Sequence, residues 1–285
     1  MDARLARKKD EIALAALMMC DRRLFGEVYQ SVQSEYFWRM PQDSGVLVHQ
    51  CAPTSAIFPG QNNPGDIDLL IIPYEGNYLV ANKIVAVELK VIRASYQRQG
   101  KSPNDFGYTQ ACHLLRLGFP YAAVIHLIVS DDSPPEAWEE MSAFRVLDSS
   151  GRVAGPETHR VDTMPISLMN RAFGRLLSNC PDDHLGLVAA YLGKWREDER
   201  SISPNSGFWF PNGREAELSP NYSIAAMTAV CSYYERARLR FFESPDLIRW
   251  KRSHKHWSSP CHESGLCAAV CLPALPQQEK NHVAQ

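Results

Sequence analysis

Pro64-Gly65-Asp66-Ile67-Asp68-Leu69-Leu70-Ile71-Ile72 and, one hairpin later, Ile84-Val85-Ala86-Val87-Glu88-Leu89-Lys90 decide how this chain is read. Both are short apolar runs rich in β-branched residues, bounded by Pro, Gly and Asn, and both are expected to be strands. Side chains alternate faces along a strand, so Asp66 and Asp68 share one face, as do Glu88 and Lys90. If the runs are neighbours, Asp68, Glu88 and Lys90 meet on one side of the sheet. Two carboxylates there suit a hard divalent cation such as Mg²⁺ or Mn²⁺, with the Leu89 carbonyl as a further oxygen. An amine beside the cation positions a water or offsets charge on a phosphate. Asp66 has the strand parity of Asp68 and competes for its role.

The flanking sequence extends this pattern. Residues 8–39 read as helix broken near Asp21 or Gly26, 46–52 as a strand, and 53–64 as a loop with Pro and Asn. Glu75-Gly76-Asn77 is a turn. A polar, basic segment at 93–103 precedes a helix capped by Asn104 or Asp105, carrying Gln110 and stopped by Gly118. Residues 121–129 form a fourth strand.

This order, with an Asp, then Glu-x-Lys, then a helix bearing Gln, resembles the PD-(D/E)XK nuclease superfamily. It also resembles the branch that writes its first carboxylate as Gly-x-x-Asp, here Gly65 to Asp68. The resemblance covers residues 20 to 132. It implies a restriction-endonuclease-like α/β core of α-β-β-β-α-β order, a mixed sheet flanked by helices. It also implies Mg²⁺ or Mn²⁺ on Asp68 and Glu88, Lys90 acting on the water, and Gln110 near the attacked phosphate. One branch adds a Tyr four residues on, where this chain has Leu114. The family also places a carboxylate in the first helix. Glu27 and Glu35 share a helical face, and Glu27, just after Gly26, is preferred. The activity implied is metal-dependent phosphodiester hydrolysis in restriction, phage defence or repair. The substrate is nucleic acid, with DNA expected. A homodimer or a partner subunit is needed if both strands are cut. A different class is a non-catalytic subunit that keeps the fold and uses its basic loops to hold nucleic acid or protein.

Composition bounds these readings. With 285 residues the chain can bury a sizeable core, and a formal charge of −2 confines any nucleic-acid surface to local patches. Arg93, Arg98 and Lys101 form one patch, beside the candidate metal site. A second runs from Arg236 to Lys255 with Phe241, Phe242, Trp250 and Trp257 interleaved; arginines snorkelling from a packed helix are the favoured account of it. Eight cysteines without secretory or transmembrane sequence point to a reduced, cytoplasmic setting, with no membrane partner. Cys261, Cys267 and Cys271 lack the close pairs of a zinc framework. The organisation expected is a nuclease core at 1–150, a mostly helical extension at 151–256 and a flexible tail at 257–285.

Overall fold

The computed structural model describes residues 10–60, 65–145, 147–148, 150–196, 201–204 and 209–247. The tail at 257–285 and the basic residues from Arg249 to Lys255 lie outside them. The chain opens with α1 (Glu11–Cys20), α2 (Arg22–Val32) and α3 (Ser34–Arg39). Asp21 makes the first break: its N–H closes α1 on the Leu17 carbonyl, and its carboxylate accepts from the first amides of α2. β1 (Ser44–Ala52), α4 (Thr54–Ile57), β2 (Ile67–Glu75), β3 (Tyr78–Leu79), β4 (Val85–Arg93), α5 (Tyr108–Arg116) and β5 (Tyr121–Ser130) follow. Then come β6 (Glu139–Ala143), β7 (Glu157–Val161), α6 (Met164–Asn179), β8 (Gly186–Arg196), β9 (Ser201–Pro204), β10 (Asn212–Arg214), α7 (Ile224–Ala237) and β11 (Phe242–Pro245).

The chain divides into two compact units. The larger holds everything in the described chain up to Asp132 and from Met164 onward. The smaller, Ser133–Thr163, is built on the antiparallel β6–β7 ribbon.

The larger unit is an α/β fold around a mixed, curled sheet with strand order β10-β8-β5-β4-β2-β1-β11; β3 pairs with β2 and β9 with β8. The first three long strands are antiparallel neighbours, while β5 lies parallel to both β4 and β8. Alternation along each strand sorts the core into two layers. Val48, Leu69, Val87, Ile125 and Val188 face α1, α2 and α3, meeting Leu14, Met18, Phe25, Val28 and Phe37. Leu70, Ala86, Val124 and Leu187 face the other way, onto Ala111 and Leu114 of α5, Leu176 of α6 and Val230 of α7. Each fully buried Leu, Ile, Val or Phe contributes about 1.5–3 kcal/mol, so the sheet is anchored on both faces.

The C-terminal part is not the mostly helical extension expected. Residues 184–195 read as helix, yet Gly186–Arg196 is the strand β8, and β9, β10 and β11 also join the sheet. The first eight residues of β8 are buried. A strand covered on both faces shows no period-two alternation, and its Leu and Ala favour helix locally, so tertiary pairing decides the outcome. Residues 224–242 likewise read as one helix, but α7 ends at Ala237, and Phe242–Pro245 becomes the edge strand β11 on β1.

Among the described residues no helix is long and apolar enough to cross a membrane. Five cysteines among them (Cys20, Cys51, Cys112, Cys180 and Cys231) are free thiols.

Candidate active site

β2 and β4 pair through Leu69, Leu70 and Ile71 and then part. Asp68 is the next residue on β2, and the same register would place it opposite Glu88. There the side chain takes over the ladder: the Leu89 N–H donates to Asp68 Oδ2 at 2.7 Å. Glu88 is hydrogen-bonded to Asp68 on one side and lies 2.7 Å from Lys90 Nζ on the other. The structure thus brings together Asp68, Glu88 and Lys90 at the point where two strands open.

The electrostatics of this cluster follow from its burial. Glu88 is 1 % exposed. Loss of solvent, then the Asp68 charge, push its carboxyl up to about 7, against the bond and charge of Lys90. Burial also raises Asp68, opposed by the Leu89 amide, Lys90 and the bond to Glu88. Two carboxyls in hydrogen-bond contact hold one proton between them near neutral pH. Burial pulls the Lys90 amine down, but its bond to Glu88 and the charges of Glu88, Asp68 and Asp105 outweigh this, and it stays above its ordinary value. A divalent cation is the natural replacement for the shared proton, since it neutralises both carboxylates at once.

Gln110 joins from α5. Its Nε2 is the nearest heavy atom, at 3.4 Å, to where a Cβ on Gly65 would stand. The Gly65 carbonyl is held by Thr54 Oγ1 at 2.6 Å. The Gly-x-x-Asp segment and the Gln-bearing helix therefore lie side by side. Asp66 is exposed, and its charge acts on Cys51 and Tyr233.

α5 approaches through Gly107, whose φ of +88° is one that glycine adopts freely. A Cβ there would stand 2.7 Å from Glu88 Cγ. Gly107→Ala is therefore expected to cost about 1–2 kcal/mol of stability in backbone strain and to displace Glu88. Denaturant unfolding together with Mn²⁺ titration of the variant checks both effects; unchanged Mn²⁺ affinity would mean that the contact does not set the carboxylate.

The first-helix carboxylate departs from expectation. Glu27 lies on α2, which packs on the opposite face against β8 and β10. Its carboxylate is bonded to Arg23 Nε at 3.0 Å and pushed up to about 7 by burial, with Arg23 and Asp21 as its electrostatic neighbours. Glu35 is exposed and pairs with Arg39 at 2.8 Å. The carboxylate that reaches the site is Glu11, in the first turn of α1: its charge acts on Asp68, and it pairs with Arg93 at 3.4 Å. The available signal was Asp10, a capping residue directly before the apolar run of α1.

A cleft of about 400 Å³ opens beside Lys90, lined among others by Glu11, Arg93, Lys101, Asn104 and Asp105. Two of the three basic residues expected at a phosphate backbone, Arg93 and Lys101, are in its walls. Arg98 lies outside them on an exposed turn closed by its N–H on the Ser95 carbonyl at 2.9 Å. The basic segment is tied to α6: Arg175 donates to the Lys101 carbonyl at 2.9 Å and Arg171 to Gln99 at 3.3 Å. In the second basic stretch, Arg238 pairs with Glu235 and lies over the Tyr234 ring, while Arg236 donates to the Ala56 carbonyl. These arginines are engaged at the surface of a packed helix, as expected.

Sequence pattern does not single out His126. It sits on β5 as the register partner of Lys90 and is 1 % exposed. A single imidazole inside Ala122-Ala123-Val124-Ile125-His126-Leu127-Ile128 was the available signal.

Among the described residues no group of three or more His, Cys, Asp or Glu forms a ready metal cage. The donors that fit a hard cation are the Asp68–Glu88 pair, with room for water in the adjoining cleft. No family model matches the chain, and neither does a curated protein or a solved structure.

Proposed function

We propose that this chain is a Mg²⁺- or Mn²⁺-dependent nuclease of the PD-(D/E)XK type, hydrolysing phosphodiester bonds of nucleic acid, with DNA as the expected substrate. The observation that carries the reading is the Asp68–Glu88 carboxyl pair at the parting of β2 and β4, with Lys90 2.7 Å from Glu88. The element order α1–α3, β1, β2, β4, α5, β5 supports a restriction-endonuclease-like core.

Asp68 and Glu88 hold the cation, and the Leu89 carbonyl joins them, since in an extended chain it lies on the same edge as the Leu89 N–H. A bound divalent ion supplies polarisation of the scissile phosphate and a water of lowered pKa. Lys90, cationic and fixed by Glu88, orients that water and offsets charge developing on the phosphate. Gln110 offers its amide from the Gly65 side. Glu11 adds an outer negative charge across the cleft. Arg93 and Lys101 hold neighbouring phosphates. By the same resemblance the setting is restriction, phage defence or repair, and cutting both strands of a duplex requires a second copy or a partner.

The test is digestion of labelled single- and double-stranded DNA and RNA with Mg²⁺, Mn²⁺ or chelator. Cation-dependent cleavage of at least one substrate is expected. Binding without cleavage of any of them would support the non-catalytic subunit instead.

Salt dependence separates the phosphate contacts. Each contact to duplex DNA contributes about 0.9 to the log–log slope of affinity against salt. Neutralising Arg93 and Lys101 together is expected to reduce the slope by about 2, and neutralising Arg98 to leave it unchanged. Filter binding over a salt series reads both, and an unchanged slope in the double variant would move the phosphate contacts out of this cleft.

A further inference from the structure

The turn that carries α5 onto Glu88 has little to hold it from its own sequence. α5 has no side-chain cap at its N-terminus, and Gly107 supplies no side chain. Asp105 accepts the Gly107 N–H at 3.0 Å, a bond local to the turn. The remaining support comes from the sheet beneath. His126 Nε2 lies 3.3 Å from the Phe106 carbonyl. Its ring stacks on the Phe106 ring at 5.7 Å between centroids, and Phe106 stacks in turn on Tyr108 at 5.6 Å. Tyr108 completes the column by donating to the Leu176 carbonyl of α6 at 2.6 Å.

The carbonyl acceptor fixes the tautomer: Nε2 carries the proton. Nδ1 is then a bare lone pair, buried and without a hydrogen-bond partner among the described residues. Burial, with the Arg175 and Lys90 charges, lowers His126 to about 4, so the ring stays neutral over the working range. A leucine would fill this space without the unsatisfied Nδ1, but it would leave the Phe106 carbonyl without its donor, and an unmade hydrogen bond to a buried group costs about 1–3 kcal/mol in either case. What the imidazole adds over a hydrocarbon of the same size is its grip on the Phe106 carbonyl.

We infer that His126 is a positioning residue, which grips the Phe106 carbonyl and ring so that the Phe106–Gly107 turn bears on Glu88 and sets Gln110 beside Gly65. This rests on the nuclease reading, for it is the proposed cation-binding carboxylate that the turn locates. His126 touches neither cation nor substrate. It acts from the strand next to Lys90, in the way outer partners orient metal ligands elsewhere.

The experiment compares the full-length parent with His126→Leu, His126→Gln and Phe106→Leu. Leucine keeps the packed volume and has no donor; glutamine puts an amide where Nε2 stands. Mn²⁺ affinity is read by calorimetry without substrate, and kcat and KM are read separately with Mg²⁺. His126→Leu is expected to weaken Mn²⁺ binding and lower kcat by about ten- to a hundredfold, typical for loss of an orienting partner, with KM unchanged. His126→Gln is expected to recover most of both. Phe106→Leu, which keeps the carbonyl but loses the ring stack, is expected to show a smaller loss in the same direction, and it carries the test if the His126 variants do not fold. Parent-like Mn²⁺ affinity and kcat in His126→Leu, or in Phe106→Leu where that variant carries the test, would overturn the inference while leaving the nuclease reading intact. Equal losses in the Leu and Gln variants would also overturn it, as a purely structural role. A parent protein that takes up no Mn²⁺ and cuts nothing would remove the nuclease reading and this one together.

Discussion

Asp68→Asn is expected to give a folded protein that no longer cuts and that melts higher than its parent without metal. Asparagine keeps an oxygen to accept the Leu89 N–H. It removes the charge that, after burial, does most to raise Glu88. One pKa unit corresponds to 1.36 kcal/mol, so relief of this repulsion is worth about 1 kcal/mol or more above neutral pH. The loss of function is larger. Cation-mediated stabilisation of the transition state is worth several kcal/mol, and each 1.36 kcal/mol is tenfold, so cleavage falls by about three orders of magnitude. Glu88→Gln is expected to fail equally in cleavage, with a smaller thermal gain because it also loses the Lys90 ion pair. Initial rates in Mg²⁺ and melting curves in chelator measure the two sides. Cleavage by Asp68→Asn within tenfold of the parent would rule Asp68 out as a cation ligand. The opposite signs of the two effects matter, because a site assembled for stability would lose both together.

The cluster was legible because strand parity is a strong local rule. Asp68, Glu88 and Lys90 needed only the period of two and the assumption that their strands are neighbours. Gln110 was marked only by the resemblance; the structure sets its amide beside Gly65. The rest required knowing which layer each helix joins. Glu27 has sound amphipathic spacing on α2, but periodicity marks the buried stripe of a helix, not the face of the sheet it meets. α2 covers Leu69, Leu89 and Val188, while Asp68 and Glu88 stand where the sheet opens toward α5. Glu11 carries no local signal of its place, which depends on α1 beginning beside Arg93, a contact 82 residues away in sequence. β8 was unreadable for a related reason. Burial on both faces erases alternation, and what distinguishes it from a helix is the parallel partner β5, whose ten residues are all buried.

Glu27 offers the sharpest separation of fold from function. Its side chain is 3 % exposed, and Oε2 has no hydrogen-bond partner among the described residues. Burial raises its pKa from 4.5 to about 7 in the folded protein. An acid whose folded pKa is raised binds its proton more tightly when folded. Its contribution to stability is therefore complete below about pH 4.5, where the unfolded chain is also protonated, and is lost as pH rises through about 7. The full difference corresponds to about 3 kcal/mol. Asp68 and Glu88 act with the same sign, whereas His126, lowered to about 4, acts against it, so the parent's own pH profile is a composite. The difference between parent and Glu27→Gln isolates the one residue. Glutamine keeps an acceptor for Arg23 and cannot ionise. It is expected to match the parent near pH 4.5 and to exceed it by about 1–3 kcal/mol at pH 8, measured by urea unfolding in chelator. Cleavage by Glu27→Gln is expected to equal the parent's, because the residue lies in the layer away from the Asp68–Glu88 pair. A variant with parental stability at pH 8 but lost cleavage would reverse this and return Glu27 to the site in place of Glu11.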